Sequence, residues 1–173
     1  MLSPPPAPEW RTLDWFNTTA PLSLAALHGR IVMVTAFQML CPGCVSQGLP
    51  QAQRVRETFR EEDVAVIGLH TVFEHHDAMT PTALKAFLHE YRIKFPVGID
   101  EPDPNGGVPR TMRAYEMRGT PTTLLIDREG LLRQHKFGHL PDLQLGAEIM
   151  ALVGEGAGRR LLGAASAGGT CTP

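Results

Sequence analysis

The sequence has no long apolar run and no surplus of positive charge. None of its 173 residues belongs to a run of about 18 apolar residues, the length a spanning helix needs, so we expect no membrane span. The formal net charge is −2 and no lysine- or arginine-rich block occurs, which argues against a nucleic-acid partner and an anionic membrane surface. The first ten residues lack the pattern of a signal peptide. We therefore expect a cytoplasmic protein, or a periplasmic one if a leader has been removed.

Cysteine is also scarce, since only Cys41, Cys44 and Cys171 occur. Three cysteines are too few for the disulfide framework of a small secreted protein. The composition is otherwise that of a globular domain, 43% apolar and 20% charged, with enough length for one sizeable core. A close pair with one distant outlier is more typical of a reactive site. We interpret Cys171 as an incidental exposed cysteine rather than a third redox thiol.

The hydrophobic pattern predicts one α/β domain over residues 10–155. Residues 1–9 are rich in proline and residues 156–173 in glycine and alanine, which predicts a flexible segment at each end. The predicted order between them is strand, helix, strand, helix, short strand, helix, hairpin and helix, with the last helix ending at Gly154. Parallel strands need crossover helices and hairpin strands do not. The order therefore predicts a mixed central sheet with helices on both faces.

The cysteine pair follows the first predicted strand, "IVMVTAF", and Pro42 is typical of the first position of a helix. We therefore predict that Cys41 lies at the N-terminus of a helix and Cys44 one turn inside it. Unpaired N–H groups and the helix dipole stabilise a thiolate at that position. Because the thiolate is the nucleophile in disulfide exchange, Cys41 is the predicted attacking thiol and Cys44 the predicted resolving thiol.

The residues alone leave two other interpretations of the pair open. A structural zinc site usually has four ligands, and the sequence offers no second cysteine pair, only His70, His75 and His76 nearby. Cysteine can also simply fill a core. Core packing, however, gives no reason for Pro-Gly between two cysteines at a helix start. We expect no bound metal and no cofactor.

A second motif, Gly-Thr-Pro, ends at Pro121 and precedes the predicted hairpin "TTLLIDREGLLRQHKF". A proline suits the start of a strand because it has no N–H to give to the ladder. Together with the cysteine pair at a strand-to-helix junction, this arrangement resembles the thioredoxin-like fold. The additional helix and strand at residues 81–100 are similar to the central insertion of TlpA- and ResA-type thiol-disulfide oxidoreductases.

The resemblance implies a cis proline beside the cysteine pair and disulfide exchange as the activity. Its partners would be thiol or disulfide substrate proteins and an electron donor that the sequence does not identify. We expect a monomer or a weak dimer. The substrate groove would be formed by Thr120, Pro121, Pro42 and Gly43.

The sequence departs from thioredoxin or from its TlpA-like relatives at several positions, including the Pro-Gly dipeptide, which reverses the Gly-Pro of thioredoxin. Leu40 stands where a tryptophan usually precedes the first cysteine, and Thr35 where thioredoxin has a buried aspartate. Pro50 comes one residue later than in most relatives, which predicts a local bulge or a shifted kink in the helix. Most TlpA-like proteins are also exported, whereas this sequence begins without a leader pattern.

Two polar residues, Gln38 and Glu74, are predicted to lie near the pair, at the ends of the first two strands. A carboxylate there can take a proton from Cys44, so we regard these two residues as a candidate proton relay. Two rival functions use the same fold. A peroxiredoxin-like peroxidase would carry threonine where this chain has Gln38, and a copper carrier usually has three residues between its cysteines.

Overall fold

The computed structural model describes the backbone of residues 3–166 and the side chains of residues 3–155. Its strands are β1 (Thr12–Phe16), β2 (Ile31–Phe37), β3 (Val64–His70), β4 (Val97–Asp100), β5 (Thr122–Ile126) and β6 (Leu132–Phe137). Its helices are α1 (Leu49–Thr58), α2 (Pro81–Glu90), α3 (Arg110–Ala114) and α4 (Asp142–Ser166). A 3-10 turn (Ala25–Leu27) precedes β2, and a π-helical segment (Cys44–Gly48) leads into α1.

The strands form one mixed sheet, as the sequence predicts, and their order in it is β1-β4-β3-β2-β5-β6. Strands β2, β3 and β4 are parallel, whereas β1, β5 and β6 each pair antiparallel with a neighbour. Every residue of β2 and β3 is buried, which explains their continuous apolar sequence. The cysteine pair therefore follows a strand that is buried along its whole length.

Helices cover both faces of the sheet. On one face, the core cluster contains Leu49 of α1, Leu84 of α2 and Leu145 of α4. On the other face, Met112 of α3 and Trp10 of the N-terminal segment pack together with the remaining strand residues. Burial of these apolar stripes on two sides makes a three-layer thioredoxin-like domain. Among the described residues, no helix has the length and apolar character needed to cross a membrane.

The helix of the central insertion begins as its sequence predicts. The Thr80 hydroxyl accepts a hydrogen bond from the Ala83 N–H at 3.2 Å, and Pro81 occupies the first turn. The following strand, β4, pairs with β3 and also with β1. The insertion thus extends the sheet on the side of β3.

The structure differs from the sequence-based expectations at both ends of the chain. Strand β1 was not predicted; its short, half-exposed sequence gives no clear alternation. The N-terminal segment is not loosely held, since the Ala7 N–H donates to the Gly130 carbonyl at 2.9 Å. The prediction that the last helix ends at Gly154 is wrong, because α4 continues to Ser166 and therefore includes part of the predicted C-terminal tail. Within a helix, a glycine only lowers stability and need not end it.

Candidate active site

The cysteine pair lies at the start of a helix, four residues after the end of β2. The first helical hydrogen bond runs from the Val45 N–H to the Cys41 carbonyl, at 3.1 Å. Cys41 is therefore the N-terminal flanking residue of the helix, and Pro42 begins it. Cys41 and Cys44 form a disulfide, with their Cα atoms 5.2 Å apart. The predicted placement of both residues is confirmed.

The two sulfur atoms have different surroundings. Cys41 is half-buried, whereas Cys44 is fully buried in the core beneath the helix. The backbone N–H of Cys44 donates a hydrogen bond to the Sγ atom of Cys41 at 3.2 Å. An N–H directed at Sγ, together with the other unpaired N–H groups of the first turn, stabilises negative charge on that sulfur. Only Cys41 is thus both accessible and placed to become a thiolate.

The helix after the pair contains the irregularity that the position of Pro50 predicts. Over Cys44–Gly48 the backbone is π-helical, and the Leu49 N–H bonds to the carbonyl of Cys44, five residues back. A π turn accommodates one more residue than an α turn, so the helix continues beyond it without losing the packing of α1. The π-helical segment therefore accommodates the extra residue that precedes Pro50.

The loop that ends in Pro121 lies against the start of this helix. The Thr120–Pro121 peptide bond is cis, and the Thr120 carbonyl oxygen lies 3.5 Å from Cys41 Sγ. A Cβ atom added to Gly43 would lie 3.4 Å from the Pro121 side chain. Since β5 begins at the next residue and pairs with β2, the sheet fixes this loop beside the cysteine pair. The proximity that the resemblance implies is present.

A groove of about 310 Å³ opens beside Cys41. Its walls are mainly apolar, and two large side chains in them are unusually exposed, Leu40 at 56% and Phe137 at 42%. Sequence reasoning identified Leu40, Gln38, Glu74, Pro42 and Thr120 in this region. It missed other groove residues, namely Phe73, Met79, Gly119 and Phe137. The one sequence signal for Phe137 was an aromatic residue at the end of the predicted hairpin.

The predicted polar pair is in contact at the edge of this groove. Gln38 is 1% exposed, and its Oε1 atom accepts a hydrogen bond from the Phe73 N–H at 3.2 Å. Its Nε2 atom donates to Glu74 Oε1 at 3.3 Å. The backbone donor thus sets which end of the amide faces the carboxylate. Glu74 itself is exposed and lines the groove.

Two buried polar side chains near the sheet lack hydrogen-bond partners. The Thr35 hydroxyl and His70 Nε2 are both unpaired, and each residue is 1% exposed. Burial lowers the pKa of His70 from 6.5 to about 4, so its imidazole is neutral at pH 7. The His70 ring instead contacts Phe37, at 5.2 Å between centroids.

The histidines offered by the sequence as metal ligands do not gather around the cysteines. His75 lines the groove, His76 does not, and His70 is buried against Phe37. Over residues 3–155, no group of three or more His, Cys, Asp or Glu side chains is arranged to hold a metal ion. Cys171 lies outside the described residues.

Comparison with known proteins decides the family. The model of the AhpC/TSA family matches residues 6–135. The chain belongs to the AhpC/TSA family. It is 31% identical over 143 residues to the thiol:disulfide interchange protein DsbE of Allochromatium vinosum, covering 83% of this chain and 70% of that protein. Relatives named thiol-disulfide oxidoreductase ResA, from Bacillus species, are 27% to 29% identical, and the chain spans 64% of their length.

Solved structures place this AhpC/TSA member among thioredoxin-like proteins. A thioredoxin-like superfamily protein shares 62% identity with a TM-score of 0.84, covering 86% of this chain and 96% of that one. A thiol-disulfide isomerase from Corynebacterium glutamicum shares 48% identity with a TM-score of 0.82 and the same coverage. With its disulfide-forming C-x-x-C pair, this AhpC/TSA member is a thiol-disulfide oxidoreductase of the ResA/TlpA type.

Proposed function

We propose that this oxidoreductase exchanges disulfides through Cys41 as the attacking thiol and Cys44 as the resolving thiol. One observation supports this assignment above the others. Cys41 Sγ faces an open groove and receives the Cys44 N–H, whereas Cys44 is fully buried behind it. A partner disulfide can reach only the first sulfur, and the second is held one helical turn away.

The exchange proceeds in two steps. The Cys41 thiolate attacks one sulfur of a substrate disulfide, so a new S–S bond forms, the substrate S–S bond breaks, and the other substrate sulfur leaves as a thiolate and is protonated. Cys44 then gives up its proton and attacks Cys41 Sγ, which closes the Cys41–Cys44 disulfide and releases the first substrate sulfur. Two electrons pass to the substrate, and an external dithiol restores the reduced pair. The reverse steps oxidise a substrate dithiol.

We assign the substrate groove to Thr120, Pro121, Pro42 and Gly43. Support comes from the 3.5 Å approach of the Thr120 carbonyl oxygen to Cys41 Sγ and from the packing of Pro121 against Gly43. Glu74, oriented by Gln38, is the candidate proton acceptor for Cys44 through solvent in the groove. Its support is the Gln38–Glu74 hydrogen bond beside Cys41.

Single-cysteine variants test the two thiol assignments. With Cys171→Ser as the common background, Cys41→Ser should abolish the acceleration of insulin reduction over dithiothreitol alone. Cys44→Ser, reduced beforehand and then mixed with a disulfide substrate in the absence of dithiothreitol, should accumulate a stable mixed disulfide, visible by mass spectrometry. The background variant alone should retain full activity. Insulin reduction by the Cys41→Ser variant at the wild-type rate would contradict the proposed mechanism.

The direction of exchange in the cell depends on the reduction potential of the pair. Thioredoxin-fold couples range from about −270 to about −120 mV, which separates reductants from oxidants. A redox titration of Cys41–Cys44 against a glutathione buffer measures it directly. A value near the lower end would favour a reductant and one near the upper end an oxidant.

A peroxidase is the second candidate, because the matching family model is AhpC/TSA. In that chemistry the Cys41 thiolate takes one oxygen from a hydroperoxide, giving an alcohol and a sulfenic acid, and Cys44 condenses with the sulfenic acid to release water. Gln38 occupies the position where peroxiredoxins carry threonine, which disfavours it. Hydrogen peroxide consumption by the dithiol-reduced protein distinguishes the two functions.

For the partners and the cellular location of this protein, we propose only a general class. Thiol or disulfide proteins are the partner class of this family, and a monomer or weak dimer stays a prediction that sedimentation can test. The cytoplasmic location expected from the sequence also stays a prediction. The relatives named DsbE and ResA support the periplasmic alternative, since most TlpA-like proteins are exported.

A further inference from the structure

The groove beside Cys41 carries an unequal distribution of charge. Glu74 is the one carboxylate that lines it, and no lysine or arginine does. In the described part of the chain, no ion pair joins Glu74 to a cation. Its hydrogen bond comes from Gln38, a neutral amide, which orients the carboxylate without cancelling its charge. A negative charge therefore faces the space that an incoming substrate enters.

A buried side chain, that of Gln38, fixes the position of this charge. Gln38 is 1% exposed, follows β2 directly and is held by the Phe73 N–H at 3.2 Å. The amide donor thus points to one place at the groove edge, where Glu74 accepts it. Because the hydrogen bond from Gln38 already orders the Glu74 side chain before substrate binds, less side-chain entropy is lost when a substrate cation pairs with it.

One cation, Arg118, contacts a residue of the groove wall without lining the groove itself. The Arg118 guanidinium stacks over the Phe137 ring, 5.7 Å from its centroid. In the sheet order, β3 and the loop carrying Glu74 lie on one side of β2, whereas β5 and β6, which ends at Phe137, lie on the other. Arg118 is not among the residues lining the groove, so it leaves the charge of Glu74 unpaired. Glu74 is therefore the charge that the groove wall presents beside Cys41.

We propose that Glu74, positioned by Gln38, is a specificity-determining residue that selects polypeptide disulfides with a cationic side chain next to the reacting cysteine. This inference rests on the proposed exchange through Cys41 and adds the class of substrate. A lysine or arginine beside the substrate cysteine pairs with Glu74 while the two sulfur atoms react. An acidic residue there is repelled at the same distance.

Three disulfide-linked peptides of one sequence, differing only in Lys, Gln or Glu beside the cysteine, test the proposal with the full-length reduced protein. One attraction and one repulsion of about 0.2–1 kcal/mol each should make kcat/KM differ about two- to thirtyfold between the Lys and Glu peptides. The ratio should fall towards one with added NaCl. Glu74→Gln should bring the ratio close to one, and Glu74→Asp should keep the order Lys, Gln, Glu.

The control is Glu90→Gln, which makes the same change in net charge at an exposed position of α2 and should leave the ratio unchanged. Equal rates for the three wild-type peptides, or a ratio that Glu74→Gln does not alter, would overturn the proposal. If Glu74 is only a proton acceptor, Glu74→Gln slows all three peptides by one factor and leaves the ratio intact. Failure of the underlying exchange mechanism is seen separately, as activity that survives Cys41→Ser.

Discussion

Pro121 packs directly against Gly48 in the π-helical segment. A Cβ atom at residue 48 would lie 3.1 Å from the Pro121 Cβ atom and 3.8 Å from the Thr35 hydroxyl oxygen. Both neighbours belong to stiff parts of the structure, a proline ring at the start of β5 and a β-branched residue inside β2. The spacing between the helix start and the proline loop therefore depends on the absence of a side chain at this position.

We expect Gly48→Ala to destabilise the protein by about 1–3 kcal/mol, because overpacking forces the helix and the Pro121 loop apart. Disulfide exchange should fall with it, since Thr120 then moves away from Cys41 Sγ. Urea unfolding and insulin reduction measure the two effects. Gly146→Ala in α4 is the matched control: nothing lies within 4 Å of the added atom, so it should stabilise the helix by about 0.5–1 kcal/mol. A Gly48→Ala variant as stable as the wild type would contradict the packing argument.

His70 should make stability depend on pH below neutrality. Burial lowers its pKa from 6.5 to about 4, so between these values the unfolded state binds more protons than the native state. The free energy of unfolding that depends on a neutral His70 is fully present above pH 6.5 and is lost as the pH falls towards 4. From the shift, the loss is roughly 2 to 3 kcal/mol at about pH 4.5.

The measurement is the difference in unfolding free energy between the wild type and His70→Leu, at pH 7 and at pH 4.5. Leucine cannot titrate and removes the unpaired Nε2 atom, so the variant should be near wild-type stability at pH 7 and more stable than the wild type at pH 4.5. Parallel pH curves for the wild type and His70→Leu would show that His70 does not contribute.

Thr80→Ala should destabilise the protein by about 1 kcal/mol, because the first turn of α2 loses the acceptor for the Ala83 N–H. Thermal or urea unfolding measures the change. The neighbouring exposed residue gives the comparison: Thr82→Ala removes a hydroxyl of the same kind that caps nothing, and should leave stability within about 0.5 kcal/mol of the wild type. Equal effects of the two substitutions would mean that the cap contributes little.

Local signals in the sequence predicted much of the fold. The continuous apolar runs gave β2 and β3, the threonine and proline at 80 and 81 gave the start of α2, and the glycine turn gave the hairpin of β5 and β6. Strand β1 escaped prediction because its stability comes from pairing with β4, about 85 positions away in the chain, and not from its own pattern. The end of α4 was misplaced because glycine is a weak stop signal without the cap geometry that normally accompanies it.

The sequence by itself determined the chemistry available to this protein: two thiols one helical turn apart, a proline that fits the start of a strand, and an extra residue that the helix has to absorb. Only the tertiary structure decided how deeply each sulfur is buried, that Thr120 and Glu74 line the same groove, and that Phe137 forms part of its wall. These residues come from four separate segments, and their proximity is set by strand pairing and by burial of the sheet. Those are long-range contacts, which a linear pattern does not encode.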